Sequence, residues 1–367
     1  MKLLRKIAAP IAALAIGASA LATPTAIAGA AEVTPAKIQG DFTAAKITKL
    51  DKNRESDRTW VEQTRDNHRV LHFNAYSTSM GRDIPLAVIT PNGEFDEARP
   101  TIYMLNGAGG AEQNMDWIAS SPIVDFYKDK NVNVVIPMEG AFSYYINWHN
   151  DSPQAAAPYL NGKQRWEDFL LRELPGGIEP YMKANGKRGI GGYSMSATSA
   201  LLLAEKAPGF FDVAGSFSGC AETSTFLGYQ SAQLTVERAG TSAFEMLGPQ
   251  NGDHNRANDA LVQAHKLRGT SLYISNATGL AGEADMPGTY TAQGYDPLVA
   301  SVGAAQLQIE GGVIEAATNV CTHNLKAKLD SLDIPATWNL RPVGTHSWNY
   351  WIQDLNESWQ TFEDALS

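Results

Sequence analysis

The chain is poor in cysteine, in basic runs and in long apolar stretches, and each shortage removes a class of protein. Cys220 and Cys321 are the two cysteines among 367 residues, too few for a disulfide-built scaffold. Neither has a partner at metal-ligand spacing, His323 being an isolated neighbour of Cys321, so no metal site is expected. No cofactor is expected either. Acidic side chains outnumber basic ones 39 to 29, a net charge of -10. No basic stretch interrupts that balance beyond the N-terminus, which argues against a nucleic-acid partner. After the first thirty-odd residues no window is apolar enough to cross a bilayer. What remains, 44% hydrophobic and 19% charged, has ample material for a large core.

The N-terminus is a separate element. Lys2, Arg5 and Lys6 precede an apolar run from Ile7 to Leu21, and small residues follow as far as Ala31. This order reads as a secretory signal peptide over residues 1–31, cleaved near Ala28 to Ala31. A membrane anchor is the rival reading, but the run is Ala-rich, broken by Pro10 and short for a span. Export without a later transmembrane segment predicts a secreted or cell-envelope protein. In oxidising surroundings a Cys220–Cys321 bridge is expected.

Residues 32–58 read as a lead-in, and positions 51 to 69 mix charges of both signs as a solvated arm would. Residues 59–367 read as one domain, because β-rich runs alternate with helical patterns. Strands are expected over 70–75, 84–90, 101–105, 132–136, 188–193, 213–218, 271–275 and 337–341. Helices are expected over 166–183, 194–206, 256–267 and 313–329. Such alternation predicts an α/β protein, a mostly parallel sheet of about eight strands covered on both faces. The stretch 221–300, richer in Gly, Ser, Asn and Pro, reads as an excursion over one end of that sheet.

Chemistry concentrates at Gly192-Tyr193-Ser194-Met195-Ser196, where a serine lies between a strand and a helix. A nucleophile elbow requires that context and small residues on either side; the alternative is an ordinary helix N-cap. Attack on a carbonyl also needs donors for the developing oxyanion. The backbone amide of Met195 is one, and that of Ala108, in the glycine-rich loop Asn106-Gly107-Ala108-Gly109-Gly110, is the other. Of the histidines after Ser194, His346 follows the last expected strand and is the expected base. Glu310, Glu315, Asp296 and Asp333 all lie between serine and histidine as candidate acids, and spacing alone leaves them open.

At these residues the chain resembles the secreted mycolyltransferases, the antigen-85 proteins of mycobacteria and their corynebacterial relatives. The resemblance runs from about Ser79 to Leu355. It rests on Ser79-Met80-Gly81-Arg82-Asp83-Ile84, the Asn106-Gly107 loop, Ser143-Tyr144-Tyr145 with Trp148, Trp166-Glu167-Asp168-Phe169-Leu170, the Ser194 block, Gly248-Pro249 with Arg256, and Gly344-Thr345-His346-Ser347-Trp348. It implies an α/β-hydrolase fold and a Ser194, Glu315, His346 triad, with Val313-Ile314-Glu315 matching the family's glutamate triplet. It further implies transfer of a mycolic acid between trehalose esters, or onto cell-wall arabinan. Trehalose mycolate esters and other envelope glycans are therefore the expected partners, with Asn106, Asn147, Trp148 and Trp348 expected to contact substrate. The mycobacterial Asp-Gly-Leu-Arg of the oxyanion loop has lost both charges here, a departure shared with the corynebacterial branch.

Overall fold

The computed structural model describes residues 42–53, 58–153 and 155–367. The expected signal peptide lies outside the described residues, as does part of the lead-in.

Nine strands form one sheet: β1 (Lys46–Lys49), β2 (Val70–Ser77), β3 (Arg82–Ile89), β4 (Thr101–Leu105), β5 (Asn133–Pro137), β6 (Arg188–Tyr193), β7 (Val213–Phe217), β8 (Ser271–Asn276) and β9 (Thr337–Leu340). Their order is β1-β2-β3-β5-β4-β6-β7-β8-β9. From β5 to β9 every pairing is parallel, whereas β1, β2, β3 and the β3–β5 junction are antiparallel. The helices between the parallel strands cover both faces, as crossover connections require. Alternate residues of one strand accordingly enter two separate cores: Val135 packs into one, Val134 and Ile136 into the other.

All eight expected strands are present. The ninth, β1, falls in the lead-in, where Lys46 and Lys49 flank Ile47 on a mostly exposed edge. The excursion at 221–300 is not a single one, because β8 passes through it and pairs with β7 and β9. It resolves into a helical segment before β8 and another after it.

Four helices shape the site. The elbow helix (Met195–Lys206) follows β6, and the wall helix (Phe226–Glu237) lies in the first segment. The second segment supplies Pro297–Gln306, here the rim helix, started by Asp296, whose side chain accepts from the Leu298 and Val299 amides. A π-helical turn, Leu307–Gly311, leads from it into the glutamate helix (Gly312–Ser331). The helix expected over 256–267 is broken into Asp253–Ala257, Ala260–Gln263 and Ala264–Leu267. Asp259 is the cause. One of its oxygens caps Val262, and the other accepts the amides of Thr223 and Ser224, which turns the chain at that point.

Candidate active site

Ser194 stands on the turn between β6 and the elbow helix with φ 56° and ψ -125°, a conformation that is rare for a residue with a side chain. The turn closes because Gly192 has no Cβ: one placed there would lie 2.5 Å from both the carbonyl oxygen and the hydroxyl of Ser196. Ser196 ties the bend together, accepting from the Tyr193 amide and within 3.0 Å of the carbonyls of Leu105 and Tyr193. The Ser194 side chain caps no helix amide, so the N-cap alternative does not hold. Its hydroxyl lies 2.7 Å from Nε2 of His346.

His346 comes from the loop after β9, and its Nδ1 lies 2.8 Å from Oε2 of Glu315. A carboxylate offers acceptors, so Nδ1 donates to it and Nε2 is left to receive the serine proton. Glu315 is fully buried in the first turn of the glutamate helix. Its second oxygen accepts from the Ser218 hydroxyl and the Ala277 amide, both at 2.8 Å. Every direction in which the carboxylate could rotate is thereby occupied. Of the other acids weighed, Asp296 caps the rim helix, Asp333 closes the end of the glutamate helix with φ 53°, and Glu310 is exposed and takes a hydrogen bond from Gln306.

The histidine loop is anchored by residues that have no local sequence signature. Asp285, fully buried, accepts from the hydroxyls of Thr345 and Tyr350 and from the Gly282 amide. Burial pushes the Tyr350 phenol up, with Asp285 adding to the shift, so it remains a donor. Arg341, just past β9, makes a bidentate pair with buried Asp354 at 2.6 and 2.8 Å. The His346 amide donates to the carbonyl of Gly311, at the end of the π-helical turn. Gly279, with φ 85°, approaches so closely that a Cβ would meet the Gly312 carbonyl at 2.2 Å.

Cys220 and Cys321 are joined as a disulfide. It fastens the turn after Ser218 to the glutamate helix, six residues beyond Glu315. Thr322 donates to the Gly219 carbonyl beside it.

Two cavities meet at Ser194 and His346. The larger, about 650 Å³, runs between the wall helix and the glutamate helix, with Leu234 on one side and Ile309, Val313 and Ile314 on the other. The smaller, about 370 Å³, is bordered by Gln306, Glu310 and Trp351. Ala108, Arg238 and Glu310 border both, and Met195 borders the larger. Met195 is the first residue of its helix, so its amide has no acceptor one turn back.

The four expected substrate contacts are placed elsewhere. Asn106 is fully buried, donating to the Pro137 carbonyl and accepting from the Trp117 amide; it builds the loop rather than touching a ligand. Trp148 is a core residue that donates to the Ser143 carbonyl. Asn147 accepts from the Asp168 amide. Trp348 packs against Tyr193, Trp117 and Trp351, behind the histidine. None of the four lines either cavity. Tryptophan and asparagine suit sugars and cores alike, and their blocks gave no means of telling the two apart. Arg238 and Glu310 are charged residues that do border both cavities, and they come from segments that the sequence pattern left unassigned or outside a helix.

Known proteins resemble the chain in sequence and in fold. The family model described as "Putative esterase" matches residues 77–362. The diacylglycerol acyltransferase/mycolyltransferase Ag85A of Mycobacterium ulcerans is 29% identical over 78% of this chain and 79% of its own. Ag85B of Mycobacterium leprae is 28% identical over 81% and 84%. Among solved structures, Mycobacterium tuberculosis MPT51 superposes with a TM-score of 0.63 at 20% identity, covering 79% of this chain and 96% of that one. An S-formylglutathione hydrolase from Agrobacterium tumefaciens gives 0.59 at 14%, over 82% and 97%. The fold is that of the α/β-hydrolases, and the chain belongs to this esterase family as an antigen-85-like member.

Proposed function

We propose that the protein is an exported acyltransferase that moves a corynomycolyl or mycolyl group between trehalose monoesters, giving the diester, or onto cell-wall arabinan. The observation that carries this reading is the unbroken chain Ser194–His346–Glu315 at the junction of two cavities. Ser194 attacks the ester carbonyl while His346 takes its proton, and Glu315 holds the imidazole and stabilises its charged form. The amides of Ala108 and Met195 receive the oxyanion. His346 then returns the proton to the departing sugar oxygen, leaving an acyl-serine. A second sugar hydroxyl, deprotonated by the same histidine, attacks the acyl carbonyl; the bond to Ser194 breaks and His346 returns the proton to the serine oxygen. The larger cavity, walled in part by Leu234, Ile309, Val313 and Ile314, suits the acyl chain. The smaller one suits a polyhydroxylated acceptor, with Arg238 and Glu310 as charged groups in place of the pair missing from the oxyanion loop.

The family and the folds it resembles include plain esterases, which differ in letting water resolve the acyl-enzyme. Incubation of purified protein with trehalose monocorynomycolate, followed by lipid analysis, separates the two. Trehalose dicorynomycolate and free trehalose are expected. Release of free corynomycolic acid alone, at saturating monoester, would leave an esterase.

A further inference from the structure

The outer face of the rim helix is covered by nothing that the structure describes, whereas Ala300 and Ala304 on the other side are buried. From Pro297 to Ile309 no residue is charged, and apart from Ser301 and Gln306 the exposed positions are apolar: Leu298 is 72% accessible, Val302 61% and Ile309 69%. Val313, at the start of the glutamate helix, is 70% accessible, and Leu234 on the wall helix opposite is 66%. The one hydroxyl in the rim helix, Ser301, donates to the helix's own Pro297 carbonyl, which removes its need for water. A contiguous apolar strip of this kind marks an interaction site.

Continuity identifies the occupant. Ile309 and Val313 belong at once to the exposed strip and to the wall of the larger cavity at Ser194. A chain lifted from a lipid layer at Leu298 and Val302 would enter the larger cavity at Ser194 over the side chains of Ile309 and Val313. At 10 residues the rim helix is too short to span a bilayer, so it would meet only the surface of one.

We propose that the rim helix and the adjoining Ile309 and Val313 form a lipid-docking surface, through which the acyl donor passes from a lipid layer into the larger cavity. This rests on the acyl-transfer reading of Ser194. Because the chain is net acidic, docking is driven by apolar burial; it should proceed on neutral lipid and be insensitive to salt.

The test is flotation with phosphatidylcholine vesicles, comparing wild type with a Leu298→Glu, Val302→Glu double variant. Neither residue lines a cavity and both are exposed, so the fold should tolerate the change; Val299→Glu serves as a second variant, and circular dichroism checks all three. Wild type is expected to float. The double variant should float at least tenfold less and turn over a long-chain ester held in vesicles at least tenfold more slowly, with unchanged turnover of water-soluble p-nitrophenyl butyrate. Equal flotation would overturn the proposal. So would wild type that forms a concentration-dependent dimer, broken by the double variant, without binding vesicles. If flotation differs as expected but Ser194→Ala leaves butyrate turnover intact, the docking surface stands and the acyl-serine reading falls.

Discussion

Ser194 and Glu315 reach the same imidazole, but the two sides of the triad are built by different means. On the nucleophile side the constraint is local. Ser194 is forced into its bend by neighbours within two residues, Gly192 and Ser196, and by the strand and helix on either side. On the acid–base side almost nothing is local. Glu315 is oriented by Ser218, 97 residues earlier, and by Ala277, 38 residues earlier. The His346 loop hangs on Asp285 through Thr345 and Tyr350, and a disulfide bridges a separation of 101. A locally determined group is fixed as soon as its strand–turn–helix forms, whereas a group assembled from distant contacts depends on each of them.

Several substitutions would test that contrast. The largest effect is expected for Ser194→Ala, which leaves the bend intact but removes the nucleophile. Turnover should fall by about three powers of ten or more, roughly 4 kcal/mol of transition-state stabilisation, with no loss of thermal stability. Labelling by a fluorophosphonate should vanish with it, and equal labelling would move the nucleophile elsewhere. Replacing both cysteines by serine should act in the opposite sense, on stability first. Opening a loop of this length costs roughly 4 kcal/mol in the chain-entropy model, read as a lowered denaturation midpoint. If the midpoint is unchanged, the long-range side does not need its covalent tie.

Glu315→Gln should lower kcat by roughly two to three powers of ten, since the amide cannot stabilise the imidazolium. Glu310→Gln should leave p-nitrophenyl butyrate turnover near wild type and change only the dependence on sugar acceptor. The reverse pattern would reassign the acid. The smallest effect concerns His72, which lies far from the site, stacked on Trp60 and hydrogen-bonded to Thr64 at 2.8 Å. Burial, reinforced by Lys52 and Arg65, lowers its pKa to about 4. A histidine depressed in the fold takes up its proton more readily when unfolded, so the stability it contributes is present above pH 6.5 and is lost as pH falls from there toward 4. The loss should be on the order of 2 kcal/mol, measured as the difference in pH-dependent denaturation midpoint between wild type and His72→Asn. Asp116 opposes it. Its burial raises the carboxyl to about 6, so in wild type its contribution is present below pH 4 and lost as pH rises through 6; the comparison with His72→Asn removes this shared term.

What could be read from the sequence follows the same division. The eight strands and the elbow are written in short windows, in alternating apolar residues, a small-residue bend and a helix pattern after it. The rim helix is also signalled locally, by Asp296 as cap and Pro297 as first residue, but its Gly- and Ser-rich surroundings masked the signal. Asp285 gives no such sign for the histidine loop, because the two hydroxyls it holds there are 60 and 65 residues away. Glu315 could be separated from Glu310 only through a family triplet, since both lie on one continuous helical stretch and differ in which way they face. Sugar contacts are hard to read from the sequence for a related reason. A polar side chain that completes a loop and one that greets a ligand look the same until the fold shows whether Asn106 is covered.

The bridge between Cys220 and Cys321 makes one covalent ring of the chain between them. Leu234 from one wall of the acyl cavity and Val313 from the other both belong to that ring, as does Glu315. A protease that cut the peptide anywhere inside it would not release a fragment. The piece ending with Cys220 and its own tail would stay joined through sulfur to the piece carrying Cys321 and the histidine. Nicked protein would therefore run as one species until a reductant was added.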